Sequence, residues 1–388
     1  MTRRAGYATP TVVSDHELIG DVAGVERATL IAAAAPWLAL SGETNALHAY
    51  RERLCLLALN AGGAQIVLDL VALRGRPRAL RGLEALLIDP ARSVWVHGGE
   101  HLVAALKRDF QIAPTGLVDG QQAAVLLGRP RTGYRALVAE LCGVALPGPV
   151  SVDWAARPLG EAALSSALDK VRHLPIVVDA LLAEIRAADL EDELAEAGAE
   201  VGWTPAEIGR FEPEGFSRLK GAHRLSAPSL RVLRALWLWR DAKARSLDVP
   251  PGRLVPNERL IDLARNPDGA RERLKHERFH SRLVWGDHEE LLQAVSSAIV
   301  EAAPLPNRRE TAPPAPGVRE RGQRLKAWRR DEAQRRGVGL QAVLPAKALR
   351  YLELHGSGDV AAVPGLGARR RERYATTLAR LCRGEGEG

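Results

Sequence analysis

The stretch LALSGETNAL, residues 38–47, is an apolar run that delivers one carboxylate, Glu43, to the place where a strand becomes a loop. A carboxylate at a strand end suits a hard divalent cation, which takes several oxygen ligands. Two places earlier, on the same face of a strand, stands Ser41, a hydroxyl rather than a second carboxylate. Asp69 in AQIVLDLV and Asp119 in LVDGQQAA also fall at element ends. For Asp119 the local pattern fits the capping of the helix that follows. His97, after an apolar strand, reads as a packed residue. A different chemistry is written near the C-terminus in VPGLGARRRERY. There Gly365 and Gly367 permit a tight loop whose backbone N–H groups, opening a helix, suit a phosphate. Arg369, Arg370 and Arg371 add three charges.

Hydrophobic periodicity predicts the elements that position these groups. WLALSGE, LCLLALN, AQIVLDLV and SVWVHG are short and apolar, as strands are. GLEALLID, EHLVAALKRDF and QQAAVLLG repeat apolar residues at helical spacing. Together they predict a mixed α/β sheet with helices packed on it. From residue 133 the pattern is almost wholly helical, with a long acidic helix, including 184–200, expected to end near Gly198. A helix capped by Ser226, a Pro-rich turn and another helix follow. APLPNRRETAPPAPG, residues 303–317, lacks periodicity and reads as a linker. The segments on either side of it share a layout: L-x-x-W-R, basic residues, a V-P or L-P turn, then an amphipathic helix. That is an internal duplication of roughly 70 residues.

The 388 residues, 46% hydrophobic and 26% charged, are globular in composition and too many for one ordinary domain. The longest apolar run, LIAAAAPWLAL, contains a proline and falls well short of the ~20 residues of a membrane helix. The N-terminus lacks the apolar core of a secretory signal. Cys55, Cys142 and Cys382 are too scattered for a disulfide framework or a zinc site, and a cytoplasmic location is expected. Residues 1–200 hold 19 Lys and Arg against 24 Asp and Glu, a net of −5, which leaves +12 for residues 201–388. The asymmetry predicts a polyanionic partner for the second half.

LKGAHRLSAPSLRVLRALWLWRDAKARSLDVPPGRLVPNERLIDLA, residues 219–264, and segment 322–382 resemble the two helicase-and-RNase-D C-terminal (HRDC) domains of the ribonuclease D family. DWAARPL, residues 153–159, and LVDGQQAAVLLG, residues 117–128, resemble signatures of that family's exonuclease domain. The resemblance covers nearly the whole chain. It implies a ribonuclease H-like α/β domain over 1–205, HRDC domains over 215–300 and 318–384, and the linker at 303–317 between them. It also implies a 3′–5′ exoribonuclease in which four carboxylates hold two Mg²⁺ or Mn²⁺ ions and a tyrosine orients the attacking water. The positions that match those ligands are Ser41, Glu43, Leu102 and Lys170, and the tyrosine's is Ser166. Only Glu43 is an acid, so no metal site is expected, and no cofactor unless the chain is active. The family implies an enzyme while these residues imply a pseudoenzyme; an active nuclease trimming tRNA or other stable RNA precursors is the alternative.

RNA is the expected partner and DNA the other candidate. Contacts are expected from Lys170, as a point charge in the vacated site, and from the basic helices of the HRDC segments. Those are Arg240, Lys243 and Arg245 in the first and Lys326, Arg329, Arg330, Arg335 and Arg336 in the second. VPGLGARRRERY, with its two glycines and three arginines, resembles a helix–hairpin–helix turn. The acidic stretch 184–200 is a further candidate, as a surface for a protein partner.

Overall fold

The structure, a computed structural model, describes residues 18–148, 151–207, 211–270, 272, 283, 285–300 and 317–385. Apart from Gly317, the linker expected at 303–317 lies outside the described residues. The chain forms two compact units. One comprises Met1–Glu43, Leu54–Ala206 and Thr311–Gly388, the other Thr44–Arg53 and Glu207–Glu310.

The first unit is built on a six-stranded sheet of β1 (Leu18–Ile19), β2 (Trp37–Thr44), β3 (Leu54–Ala61), β4 (Ala64–Asp69), β5 (Ser93–Val96) and β6 (Leu117–Asp119). The strand order is β1-β4-β3-β2-β5-β6. β1 pairs in parallel with β4, β2 with β5 and β5 with β6, whereas β3 is antiparallel to β4, with Leu56 opposite Asp69. Gly42 lies against Leu54 and Leu56, and Gly62 against Ala35 and Pro36, so β3 also runs counter to β2. The C-terminal ends of the other five strands therefore share one edge of the sheet. β3 is buried at every residue, which is why LCLLALN shows no alternation.

Helices cover both faces. α1 (Val22–Ala34), α2 (Arg81–Leu87) and α3 (Glu100–Phe110) share a core with Leu57, Leu59 and Leu68. α6 (Glu161–Arg172) packs Ala167, Leu168 and Val171 with Trp154 onto Cys55, Leu56 and Ala58. Between them in the chain come α4 (Gly120–Leu126) and α5 (Tyr134–Cys142), and after them α7 (Leu174–Ala187) and α8 (Glu191–Gly202).

The acidic helix expected to end near Gly198 is instead two helices, divided where Asp189 adopts φ +51°. Gly198 lies inside α8, since a Cβ there would stand 2.1 Å from the Leu117 carbonyl oxygen of β6. The glycine marks a close approach of backbones, not a helix end.

The second unit contains α9 (Ala227–Leu247), α10 (Pro251–Leu254), α11 (Asn257–Arg265) and α12 (Trp285–Val300). Ser226 caps α9, accepting from the Ser229 N–H at 3.3 Å. Tyr50, in the loop after β2, donates its hydroxyl to Asp241 at 2.7 Å.

The duplicated layout continues in α13 (Val318–Arg336), α14 (Leu340–Val343), α15 (Ala346–His355) and α16 (Ala368–Arg383). Val249 N–H bonds the Ala244 carbonyl and Val338 N–H the Ala333 carbonyl, each at 3.0 Å, and Pro256 and Pro345 precede the next helices.

α13–α16 belong to the first unit. Leu325, Val343, Leu349 and Leu378 share a core with Leu126, Val177, Leu181 and Leu194. Gly339 N–H bonds the Leu126 carbonyl at 2.6 Å, and a Cβ at Gly339 would stand 2.0 Å from the Val125 carbonyl oxygen. The mixed α/β sheet followed by helical modules is thus the fold expected from the resemblance. No helix among the described residues is long and apolar enough to cross a membrane.

Candidate functional site

At the sheet edge where β2 and β5 end, a cavity of about 370 Å³ opens, and Ser41, Leu102, Ser166 and Lys170 all line it. The positions expected to gather do gather. Glu43 lies behind them, 7% exposed, with Oε1 2.5 Å from Lys170 Nζ. Burial pushes the Glu43 carboxyl above the usual carboxylate range, more than the neighbouring ammonium pulls it down. Leu102 is packed into the core, its Cδ1 2.7 Å from where a Cβ on Gly42 would lie.

Asp169, one residue before Lys170, lines the cavity but is bound to Arg172, whose Nη1 lies 2.7 Å from Oδ1. Among the described residues, no group of three or more His, Cys, Asp or Glu side chains is placed to hold a metal ion.

The wall also includes His101 and, not singled out from the sequence, Tyr134 and Arg135. Tyr134 donates its hydroxyl to the Asp169 carbonyl at 2.9 Å, and burial raises its pKa strongly. No motif surrounds Tyr134, so only the fold reveals it. His97 lines the same wall, with Nε2 3.0 Å from the Thr132 carbonyl oxygen. A carbonyl can only accept, so Nε2 carries the proton and Nδ1 presents a buried lone pair without a donor. Burial lowers the His97 pKa despite the opposing charge of Asp119.

Two other strand-end carboxylates are framework. Asp119, fully buried, accepts from Gln121 N–H and Gln122 N–H at 2.7 and 3.3 Å, the expected cap of α4. It also accepts from Gly98 N–H and Gly99 N–H at 3.0 and 2.8 Å, fixing the turn into α3. Asp69 pairs with Arg157 of DWAARPL, through Nη2 at 2.5 Å and Nε at 2.7 Å. Burial raises the Asp69 pKa, but Arg157 and two backbone N–H groups outweigh it and leave the carboxyl below its usual range. DWAARPL is therefore a strap to β4.

The arginines expected to meet phosphate are mostly occupied by the chain itself. Arg240 is 3% exposed and donates to the Val255 carbonyl at 2.7 Å and Asn257 at 2.9 Å, its pKa lowered to about 10 by burial. Arg329, at the same place in the repeat, donates to the Leu340 carbonyl at 3.1 Å. The arginine of L-x-x-W-R is thus a backbone clamp in both modules. Lys243 pairs with Asp287 at 2.8 Å and Glu290 at 2.6 Å, Lys326 with Glu353 at 2.8 Å, and Arg335 with Glu332 at 2.6 Å. Arg336 donates to the Tyr374 hydroxyl at 2.8 Å, and Arg245 pairs with Asp241 at 2.9 Å. Arg330 alone of this group is exposed with no partner among the described residues.

The hairpin before α16 has the expected conformation, with Gly365 at φ +72° and Gly367 at φ +75°. Its anion site, however, holds a carboxylate of α8. Glu196 Oε1 accepts from Ala368 N–H at 2.9 Å, and Oε2 lies 2.6 Å from Nη1 of Arg370, itself 4% exposed. Arg369 and Arg373 reach Asp189 at 3.3 and 2.6 Å, and Arg371 donates to the Gly367 and Ala361 carbonyls. In this structure helix 191–202 thus supplies negative charge to the hairpin and arginines expected to meet phosphate. That acidic surface, a candidate for a separate protein partner, is met by the chain's own α16.

A family model described as 3′-5′ exonuclease matches residues 17–186, and one described as HRDC domain matches twice, at 229–295 and 319–382. A ribonuclease D of Pseudomonas paraeruginosa is 29% identical over 360 residues, covering 88% of this chain and 91% of that protein. One of Gluconacetobacter diazotrophicus is 30% identical over 267 residues, 68% of this chain but just 65% of its own length. Escherichia coli RNase D, an exoribonuclease involved in structured RNA processing, shares the fold at a TM-score of 0.68, with 23% identity, covering 96% of this chain and 100% of that one.

Proposed function

The chain belongs to the ribonuclease D family, and from that premise we propose that it binds RNA on an exoribonuclease scaffold without hydrolysing it. The observation that carries this reading is the Glu43–Lys170 ion pair at the place where the family's metals would sit. Two divalent cations require several carboxylate oxygens and repel an ammonium. The four matched positions offer a hydroxyl, one carboxylate, a leucine and an ammonium, and the carboxylate is already neutralised. This donor set does not fit a metal pair.

The cavity itself is kept, and its volume lies in the range of small-ligand sites. Tyr134 and neutral His97 give it an aromatic, uncharged wall, while Lys170, Arg135 and His101 line the rest. Such a lining suits the end of a polyanionic strand. Lys170, paired with Glu43 but with its side chain 44% exposed, is the candidate to meet a phosphate there. A Lys170→Ala chain with unaltered RNA affinity would remove it from that role.

The deciding experiment incubates the full chain with 5′-labelled single-stranded RNA and a tRNA precursor, with Mg²⁺ or with Mn²⁺, beside Glu43→Ala. Binding without shortening is expected. Stepwise shortening from the 3′ end that Glu43→Ala abolishes would overturn the reading in favour of an active exoribonuclease.

A further inference from the structure

The segment LRGRPRALR, residues 73–81, carries four arginines in nine residues. Leu73 and Leu80, each 2% exposed, anchor it in the core. Between them the chain makes a tight excursion: Arg76 N–H bonds the Leu73 carbonyl at 3.0 Å and Ala79 N–H the Arg76 carbonyl at 2.9 Å, with Gly75 at φ +82°. Arg74, Arg76, Arg78 and Arg81 are all exposed. Among the described residues none of the four makes a side-chain hydrogen bond or ion pair, unlike most arginines of α9, α13 and α16. The nearest strand-end carboxylate, Asp69, is already taken by Arg157.

Four like charges within nine residues, unpaired among the described residues, attract polyanions. The guanidinium's planar fork matches a phosphate's oxygens. The segment leaves the sheet after β4, at the same edge as the cavity at the end of β2, so an RNA strand whose end lies in the cavity can run along that edge to this surface.

We propose that Arg74, Arg76, Arg78 and Arg81 form a phosphate-binding surface for an RNA strand on the α/β domain. This rests on the reading of the chain as an RNA-binding protein. It binds backbone, not bases, so it carries no sequence preference.

The test titrates the full chain against a 20-nucleotide single-stranded RNA by fluorescence anisotropy, over 50 to 300 mM salt. Three proteins are compared: the natural chain, the quadruple Arg→Ala variant at 74, 76, 78 and 81, and the quadruple Arg→Lys variant at the same positions. The Ala variant should bind at least thirtyfold more weakly at 50 mM salt, with the slope of log K against log salt flattened by about 2 to 3. The Lys variant should keep most of the slope, and all three should melt at the same temperature. A natural chain that binds while the Ala variant keeps its slope overturns this surface and leaves the functional reading standing. A natural chain that binds no RNA at any salt overturns both.

Discussion

Two arginine-rich stretches of the first unit, 73–81 and 367–373, contain four arginines each and meet opposite surroundings. In the second, Glu196 and Asp189 sit against Arg369, Arg370 and Arg373, while Arg371 is tied to backbone carbonyls. In the first, no side chain among the described residues answers the charge. The half of the chain with net charge −5 holds the unanswered arginines, and the half with +12 holds the answered ones. Much of the contrast between the halves is internal complementarity, since the carboxylates of α8 are what α16 meets. Net charge counts residues. Binding depends on which of them are still uncompensated after folding.

Substitutions can break that comparison. The largest effect is expected from Arg370→Ala, which removes a nearly buried guanidinium and strands Glu196, costing about 3 kcal/mol. Urea unfolding would read this, with RNA affinity altered less than twofold; the reverse outcome would exchange the roles of the two stretches. Arg78→Glu should do the opposite, weakening RNA binding roughly tenfold at 50 mM salt with unchanged stability. Anisotropy and melting measured together check it.

Glu43→Gln sharpens the picture through pH. A buried carboxyl with a raised pKa contributes stability that is present at low pH and lost as pH rises through that pKa. The variant lacks this loss, so its stability relative to the natural chain should improve between pH 4 and pH 7 in thermal melts. Asp69, whose pKa is lowered, contributes in the opposite sense, and its stabilisation disappears on acidification. The smallest effect belongs to Asp189→Asn, which keeps a residue that tolerates the φ of +51° found there. The carboxylate is 64% exposed, so losing its pairs with Arg369 and Arg373 should shift the melting temperature only slightly, and not at all at high salt.

Much of the fold was legible because its signals are local. WLALSGE, LCLLALN and SVWVHG become strands and EHLVAALKRDF becomes α3, as their apolar spacing predicts. The L-x-x-W-R repeat does mark two like modules. The gathering of Ser41, Leu102, Ser166 and Lys170 around one cavity was legible through the resemblance alone, for these residues come from three distant elements. What composition hid was pairing. Arg370 and Glu196 lie 174 positions apart, and nothing near GARRRER distinguishes a run of arginines facing solvent from one facing carboxylates. Gly198 misled for the same reason, because the backbone it touches, at Leu117, is far off in sequence. Tyr134 carries no local pattern and finds its place only through α5.

The shared core of α4, α7 and α8 with α13–α16 bears on how the protein is made. Synthesis passes Ala206 with Leu126, Leu181 and Leu194 still waiting for Leu325, Val343 and Leu378. At ribosomal speeds of about 5–20 residues per second, the cover arrives roughly 10–35 s later. A nascent chain must shelter those leucines through that interval, and any message truncated before residue 318 encodes a product that never can.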